Sequence, residues 1–218
     1  MKTLVLIPIK LAAFIVMLGL LNACSKSDTT LEPINNEGEY PFQSAIVIFD
    51  ISGTTDYAEQ RISGTVEVYV DEGGIKEAQY YEKTVHYKDA PFTKSEVWMA
   101  DGYMMYGVDF AAKQYLELDM SHGFPNGKPH RLSGVGFDVQ LLPLQGFQKQ
   151  GTEKVLGKTC EVWNRNGETY WLWGGFILKE QHVSPLPQGI VTMEAVGIQL
   201  DVAIPAEKVT VPSDFTKM

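Results

Sequence analysis

Few residues in this chain combine a reactive type with a reactive spacing. Cys160 could act as a nucleophile only beside a base in an accessible, electropositive setting, because the thiolate is the reacting form. Pairing outward from an Asn166-Gly167 turn places Trp173 across from it, so a buried, inert thiol is expected. Asp119, His122 and His130, around the loop Ser121-His122-Gly123-Phe124-Pro125-Asn126-Gly127, come nearest to a metal-ligand set. Their spacing is looser than metal sites use, and no metal is expected there. His86 shares a strand face with Tyr80, Glu82 and Thr84 and reads as exposed, while Asp71 and Glu72 sit in a turn where solvation accounts for them. There is no phosphate-cradling glycine motif, no Gly-x-Ser-x-Gly elbow and no His-Glu-x-x-His. The chain therefore reads as non-enzymatic, with no cofactor. A hydrolase or metal-dependent enzyme is the alternative, to be revived if His122, His130 and an acid gather around one cleft.

What the sequence does concentrate is aromatic and thioether surface. Trp98, Met99, Tyr103, Met104, Met105 and Tyr106 fall in one hairpin, and Trp163, Tyr170, Trp171 and Trp173 in another. Such groups either line a pliable apolar cavity or form ordinary core, and at least half of them are expected in core.

The elements that must position them are strands joined by tight turns. Gly64 to Asp71 alternates, with Val66, Val68 and Val70 on one face and Thr65, Glu67, Tyr69 and Asp71 on the other. Asp71-Glu72-Gly73-Gly74 then turns the chain into a strand through Tyr80 to Tyr87. Asp101-Gly102 predicts a two-residue hairpin pairing Ala100 with Tyr103, Met99 with Met104 and Trp98 with Met105. Asn166-Gly167 predicts pairs Trp163 with Tyr170 and Val162 with Trp171, and Gly174-Gly175 adds a third strand with Phe176 across from Trp173 and Leu178 across from Trp171. Cys160, Val162, Trp171, Trp173, Phe176 and Leu178 then share a core face. The opposite face, with Glu161, Trp163, Tyr170, Leu172, Ile177 and Lys179, is too apolar to stand in water and needs cover. The last long strand is predicted over Gly189 to Ile204, with Val196, Ile198, Leu200, Val202 and Ile204 on one face, a bend at Gly197 and a stop at Pro205. Between Leu132 and Phe147 the pattern changes to a short helix or apolar loop bearing Val135, Phe137, Val139, Leu141, Leu142 and Leu144. That segment is the expected cover. With Trp163, Tyr170, Leu172 and Ile177 it is expected to enclose an apolar ligand cavity of roughly several hundred Å³. Gly134, Gly136 and Gly146 would serve as hinges.

The first ten residues carry Lys2 and Lys10 and no acid, and precede an uncharged, mostly apolar run from Leu11 to Leu21, the layout of a secretion signal over residues 1–23. Leu21-Asn22-Ala23-Cys24 resembles the lipobox of bacterial lipoprotein precursors, which implies cleavage before Cys24 and acylation of that cysteine. Residues 24–39 are polar and acidic and read as a tether reaching roughly 20 Å on average. Residues 40–218 are expected to form one domain. Losing Lys2 and Lys10 takes the 18 cations to 16 against 27 acids, moving the net charge from −9 to −11, which disfavours nucleic acid as a partner. With Cys24 lipidated, Cys160 has no disulfide partner in the chain. The absence of aspartate directly after Cys24 favours the outer membrane, facing the periplasm or the cell surface.

The order of segments is similar to the LolA/LolB-like superfamily of periplasmic lipoprotein-binding proteins, and more to its uncharacterised lipoprotein branch. The similarity is carried by Trp98-Met99-Ala100-Asp101-Gly102 with Met105-Tyr106 and Tyr115-Leu116, by Gly151 through Trp163 with Tyr170-Trp171-Leu172-Trp173 and Leu178-Lys179, and by Val211-Pro212-Ser213-Asp214-Phe215. It implies a mainly β fold: a strongly curved antiparallel sheet forming an unclosed barrel, with one or two short helices or loops plugging its concave face. It also implies a cavity for a lipid or a lipoprotein acyl chain. The leading expectation is a membrane-anchored, non-catalytic binding module for an apolar or amphiphilic ligand. Its rival is an envelope interaction or assembly lipoprotein with a filled core and a protein partner.

Overall fold

A computed structural model describes residues 40–54, 60–87, 90–121, 135–184 and 189–218. The signal, the tether with Cys24, and the loop holding His122 and His130 lie outside the described residues. β-Branched and aromatic residues in alternation give strands β1 (Ala45–Thr54), β2 (Arg61–Asp71), β3 (Lys76–Tyr87), β4 (Ala90–Asp101), β5 (Met104–Asp109), β6 (Gln114–Asp119), β7 (Gln148–Val155), β8 (Lys158–Arg165), β9 (Glu168–Trp173), β10 (Phe176–Ser184), β11 (Gly189–Leu200) and β12 (Thr216–Lys217), with one helical turn, α1 (Ala206–Val209). They form one unclosed sheet in the order β12-β6-β5-β4-β3-β2-β1-β11-β10-β9-β8-β7, antiparallel throughout except for the short β12–β6 pair. The expected fold class is observed. No helix among the described residues is long and apolar enough to cross a membrane.

The β2 alternation holds: Val66, Val68 and Val70 are fully buried in the main core with Val47, Phe49, Phe176 and Leu178. The Asp71–Gly74 turn also forms, with Asp71 Oδ1 accepting from the Glu72 amide at 2.9 Å and Glu72, Gly73 and Gly74 all at positive φ. Tyr40 and Phe42, just before β1, stack at 5.3 Å and enter the same core, where the Tyr40 hydroxyl donates to the buried Glu77 carboxylate at 2.9 Å.

Three registers differ from expectation. In the β4–β5 hairpin Asp101 pairs with Met104, Ala100 with Met105, Met99 with Tyr106 and Trp98 with Gly107. The loop residues are therefore Gly102 and Tyr103, with Gly102 (φ 59) supplying the positive φ at the first loop position rather than the second. On β10 a bulge at Leu178 sets Lys179, not Leu178, opposite Trp171, although Leu178 remains fully buried. On β11 a bulge lies at Val196, where Phe49 pairs with Ala195 and Ile48 with Gly197. Met193 and Ala195 face the core before the bulge and Ile198 and Leu200 pack on it afterwards, while Val196 is 51% exposed. The strand ends at Leu200, short of Ile204, as Asp201 turns with φ 51.

The face opposite the main core carries two separate apolar clusters, each under a segment that is not part of the sheet's antiparallel order. Residues 135–147 cover β8, β9 and β10. The C-terminal residues Ile204, Val209, Val211 and Phe215 cover Tyr69, Ala78, Met99 and Val108 on β2 to β5.

Candidate functional site

The first covered patch begins with turn chemistry. Asn166 (φ 46) and Gly167 (φ 89), then Gly174 (φ 55) and Gly175 (φ 84), occupy two-residue loops with positive φ at both positions, which match the right-handed twist of the strands they join. The resulting register sets Trp163 against Tyr170 and places Leu172 between Glu161 and Ile177. These side chains share one face, as expected, and Leu172 and Ile177 are fully buried. At the rim, Trp163 Nε1 donates to Glu161 Oε2 at 3.1 Å, and Lys149 bonds the same carboxylate's Oε1. The Lys149 bond is the main reason the Glu161 carboxyl titrates below its usual range.

The cover is a series of turns, not a helix. It starts by extending the sheet: Gly136 bridges to Phe176, the Phe137 amide donates to the Gly175 carbonyl at 2.9 Å, and the Ile177 amide donates to the Val135 carbonyl at 2.9 Å. Asp138 then turns the chain by accepting from the Gln140 amide, and the Phe147 amide closes the last turn onto the Leu142 carbonyl at 3.0 Å. Pro143 lies inside this run, which keeps it from becoming a regular helix. Tyr170 is the centre of the packing, with Phe137 at 4.7 Å, Phe147 at 5.5 Å and His182 at 5.8 Å, all edge-on. Burial pushes the Tyr170 hydroxyl's pKa up, with Glu180 and Glu168 adding to the rise, so it stays neutral at ordinary pH. Arg165 closes the far end: Nη1 donates to the Gln145 carbonyl at 2.8 Å, Nη2 to Glu168 at 2.7 Å, and the guanidinium lies 4.3 Å from the Phe147 ring centre.

Of the ten expected ligand-binding residues, the structure brings together Trp163, Tyr170, Leu172, Ile177, Phe137, Val139 and Leu142. Leu141 is half-buried in the same turn. Val135 points the other way, into the main core, and Leu144 is 83% exposed. Gly136 is not placed as a hinge, since a Cβ there would meet the Tyr40 hydroxyl at 2.3 Å and the Gly175 carbonyl at 2.8 Å. Phe147 as an anchor and Arg165 as a clamp were not expected from the sequence. The signals for them were the last ring of an apolar segment and a cation beside a hairpin turn.

Where a cavity was expected beneath the cover, Leu142, Leu172 and Ile177 pack together fully buried among the described residues. Two grooves lie elsewhere. One, of about 390 Å³, is lined by Ser52, Arg61, Ile62, Ser63 and His86, the last exposed as expected and bonded to Ser63 Oγ at 3.0 Å. The other, of about 330 Å³, runs between Tyr106 and Tyr115 and the C-terminal segment. In the first of these Ser63 and His86 form a hydroxyl–imidazole pair, but among the described residues no carboxylate is bonded to the imidazole to orient it as a base. Cys160 is fully buried, its Sγ 3.6 Å from the Lys158 carbonyl, and burial raises its pKa. Asp119 accepts from the Ser121 amide at 2.8 Å, and among the described residues no three His, Cys, Asp or Glu side chains gather closely enough to hold a metal.

No family model matches the chain, and no curated protein does. Solved structures do. An uncharacterized conserved protein from Thermus thermophilus aligns over 84% of this chain and 94% of its own, with 8% identity and a TM-score of 0.46. The Pseudomonas aeruginosa MucA/MucB complex aligns over 83% of this chain and 59% of the matched chain, with 12% identity and a TM-score of 0.38. LprF from Mycobacterium bovis aligns over 77% and 90%, with 12% identity and a TM-score of 0.34.

Proposed function

We propose that this chain is a membrane-tethered, non-catalytic binding module of the bacterial envelope, and that its ligand is apolar or amphiphilic, such as a lipid or a lipoprotein acyl chain. The ligand lies against Trp163, Tyr170, Leu172 and Ile177 when residues 137–147 lift away. The observation that carries this reading is how the cover is attached. Among the described residues its backbone bonds to the sheet lie near Val135 and Phe137, and beyond them it rests on apolar and ring contacts and the Arg165 clamp. Lifting it uncovers several large side chains at about 1.5–3 kcal/mol each, so opening is favourable only if an apolar ligand replaces the cover. The lipobox-like Leu21-Asn22-Ala23-Cys24 and the acidic tether support placement at a membrane surface, in or near the outer membrane.

A specific observation favours a second reading. The space under the cover is already filled by Leu142, which suits an interaction or assembly lipoprotein whose outer surface meets a protein. Native mass spectrometry of the protein purified from its own membrane separates the two. A bound lipid mass that disappears on extraction is expected. Protein that leaves the membrane without lipid, and takes none up from added vesicles, would leave the interaction reading in front.

A further inference from the structure

The C-terminal segment forms one wall of the 330 Å³ groove, through Val209, Val211 and Phe215. The facing wall is β5 and β6, where the Tyr106 and Tyr115 rings stand 6.0 Å apart at 61°. Two acids, Asp101 and Glu117, complete the lining. Glu117 is already met by Lys217, whose Nζ lies 2.5 Å from its Oε1. Asp101 has no direct hydrogen bond or ion pair among the described residues: its cross-strand neighbour Lys76 bonds Glu72 at 2.6 Å, and interacts with the Asp101 carboxylate only through space, as a minor contribution to the rise in the Lys76 pKa. Burial holds the Tyr106 hydroxyl neutral, with Glu117 and Asp101 adding to the effect, so its ring presents an ordinary electron-rich face.

The ligand's charge follows from this lining. An anion would be repelled by both carboxylates. A neutral apolar body would strip water from Asp101 with nothing in return. A cation gains from the carboxylate and from the ring quadrupoles together. We propose that this groove binds a small organic cation, a primary or quaternary ammonium on a short apolar body, with Asp101 meeting the charge and Tyr106, Tyr115 and Phe215 flanking the body. The volume lies at the small end of the usual range for ligand sites, so the body is short. Lys217 is the resident competitor, holding through Glu117 half of the negative charge that the groove offers. This site is separate from the face covered by residues 137–147, and it stands or falls independently of the lipid reading.

The test is an NMR titration of the mature chain with n-butylammonium and butyltrimethylammonium, with 1-butanol and butyrate as probes of equal body but different charge. Both ammonium probes should shift Tyr106 and Tyr115 resonances, and the two controls should not. Asp101→Asn should weaken binding roughly tenfold, the loss of one charge-assisted contact. Lys217→Met frees Glu117 and should tighten binding several-fold. No shift with either ammonium, equal shifts with 1-butanol, or unchanged affinity in Asp101→Asn that melts like the parent would each overturn the proposal. If Asp101→Asn does not fold, Lys217→Met decides alone, since unchanged or weaker binding there rules out competition for a cation site.

Discussion

Cys160 and His182 show how burial and a neighbouring charge separate a silent side chain from a titrating one. Burial removes Cys160 from reagents and raises its pKa, so both access and thiolate fraction fall. A thiol reagent at neutral pH should label it far more slowly in the native chain than in denaturant, and equal rates would refute the burial. His182 is different: its Nε2 lies 3.6 Å from Glu180, and pairing with that carboxylate raises its pKa above the ordinary 6.5, against the opposing pull of burial. A raised folded pKa adds stability that is fully present below the unfolded value and is lost as pH rises through the folded one. Urea denaturation should therefore show the chain more stable at about pH 6 than at about pH 8 from this group, and His182→Gln should shrink that difference. An unchanged difference would mean the pair contributes nothing. The burial of Cys160 was legible in the sequence, because alternation in its strand sets it on the face that Val162 and Trp171 share. The roles of Arg165 and Phe147 were not, since both depend on residues about 20 positions apart meeting in space.

Among elements, legibility followed turn chemistry. Asn166-Gly167 and Gly174-Gly175 take positive φ at both loop positions, so the registers next to them could be read from residue types alone. Asp101-Gly102 misled because one glycine is compatible with two loop frames, and the frame adopted makes Tyr103 a loop residue. The bulges at Val196 and Leu178 could not be read at all, since a bulge is defined by its partner strand rather than by its own residues. For the cover, periodicity signalled apolar content but not which groups point inward, because successive turns have no fixed period. That orientation is testable. Leu142 is fully buried and Leu144 is 83% exposed, two residues apart in one turn. Leu142→Ala should cost about 2–5 kcal/mol by urea denaturation, as a buried leucine leaves a cavity. Leu144→Ala should change stability by no more than about 0.5 kcal/mol. Similar costs at both positions would show that the cover packs some other way.

At the scale of the molecule, an unclosed sheet must keep its two ends from pairing with other chains. At one end β12 adds a short parallel strand to β6, held by Lys217 on Glu117 and by Lys113 on Asp214 at 2.8 Å. At the other, β7 is almost wholly exposed but carries Lys149 and Lys154 and a bulge beside Gly151 (φ 142), which are features that blunt an edge. The proposed removal of residues 1–23 would take the net charge from −9 to −11, which disfavours anionic headgroups, and no helix among the described residues is long and apolar enough to span a membrane. Attachment then rests on the proposed acylation of Cys24, where each buried methylene contributes about 0.8 kcal/mol and one chain alone holds only marginally. In the proposed mature lipoprotein several chains on one residue would hold firmly, and a tether of about 15 residues would allow a separation averaging roughly 20 Å. Cys24→Ala should therefore remain as uncleaved precursor or appear in the soluble fraction, while the parent stays with the membrane through high salt and carbonate. If the alanine variant is processed and still resists both washes, a surface of the folded domain is the anchor, and the apolar groups that the two covers conceal become the first place to look for it.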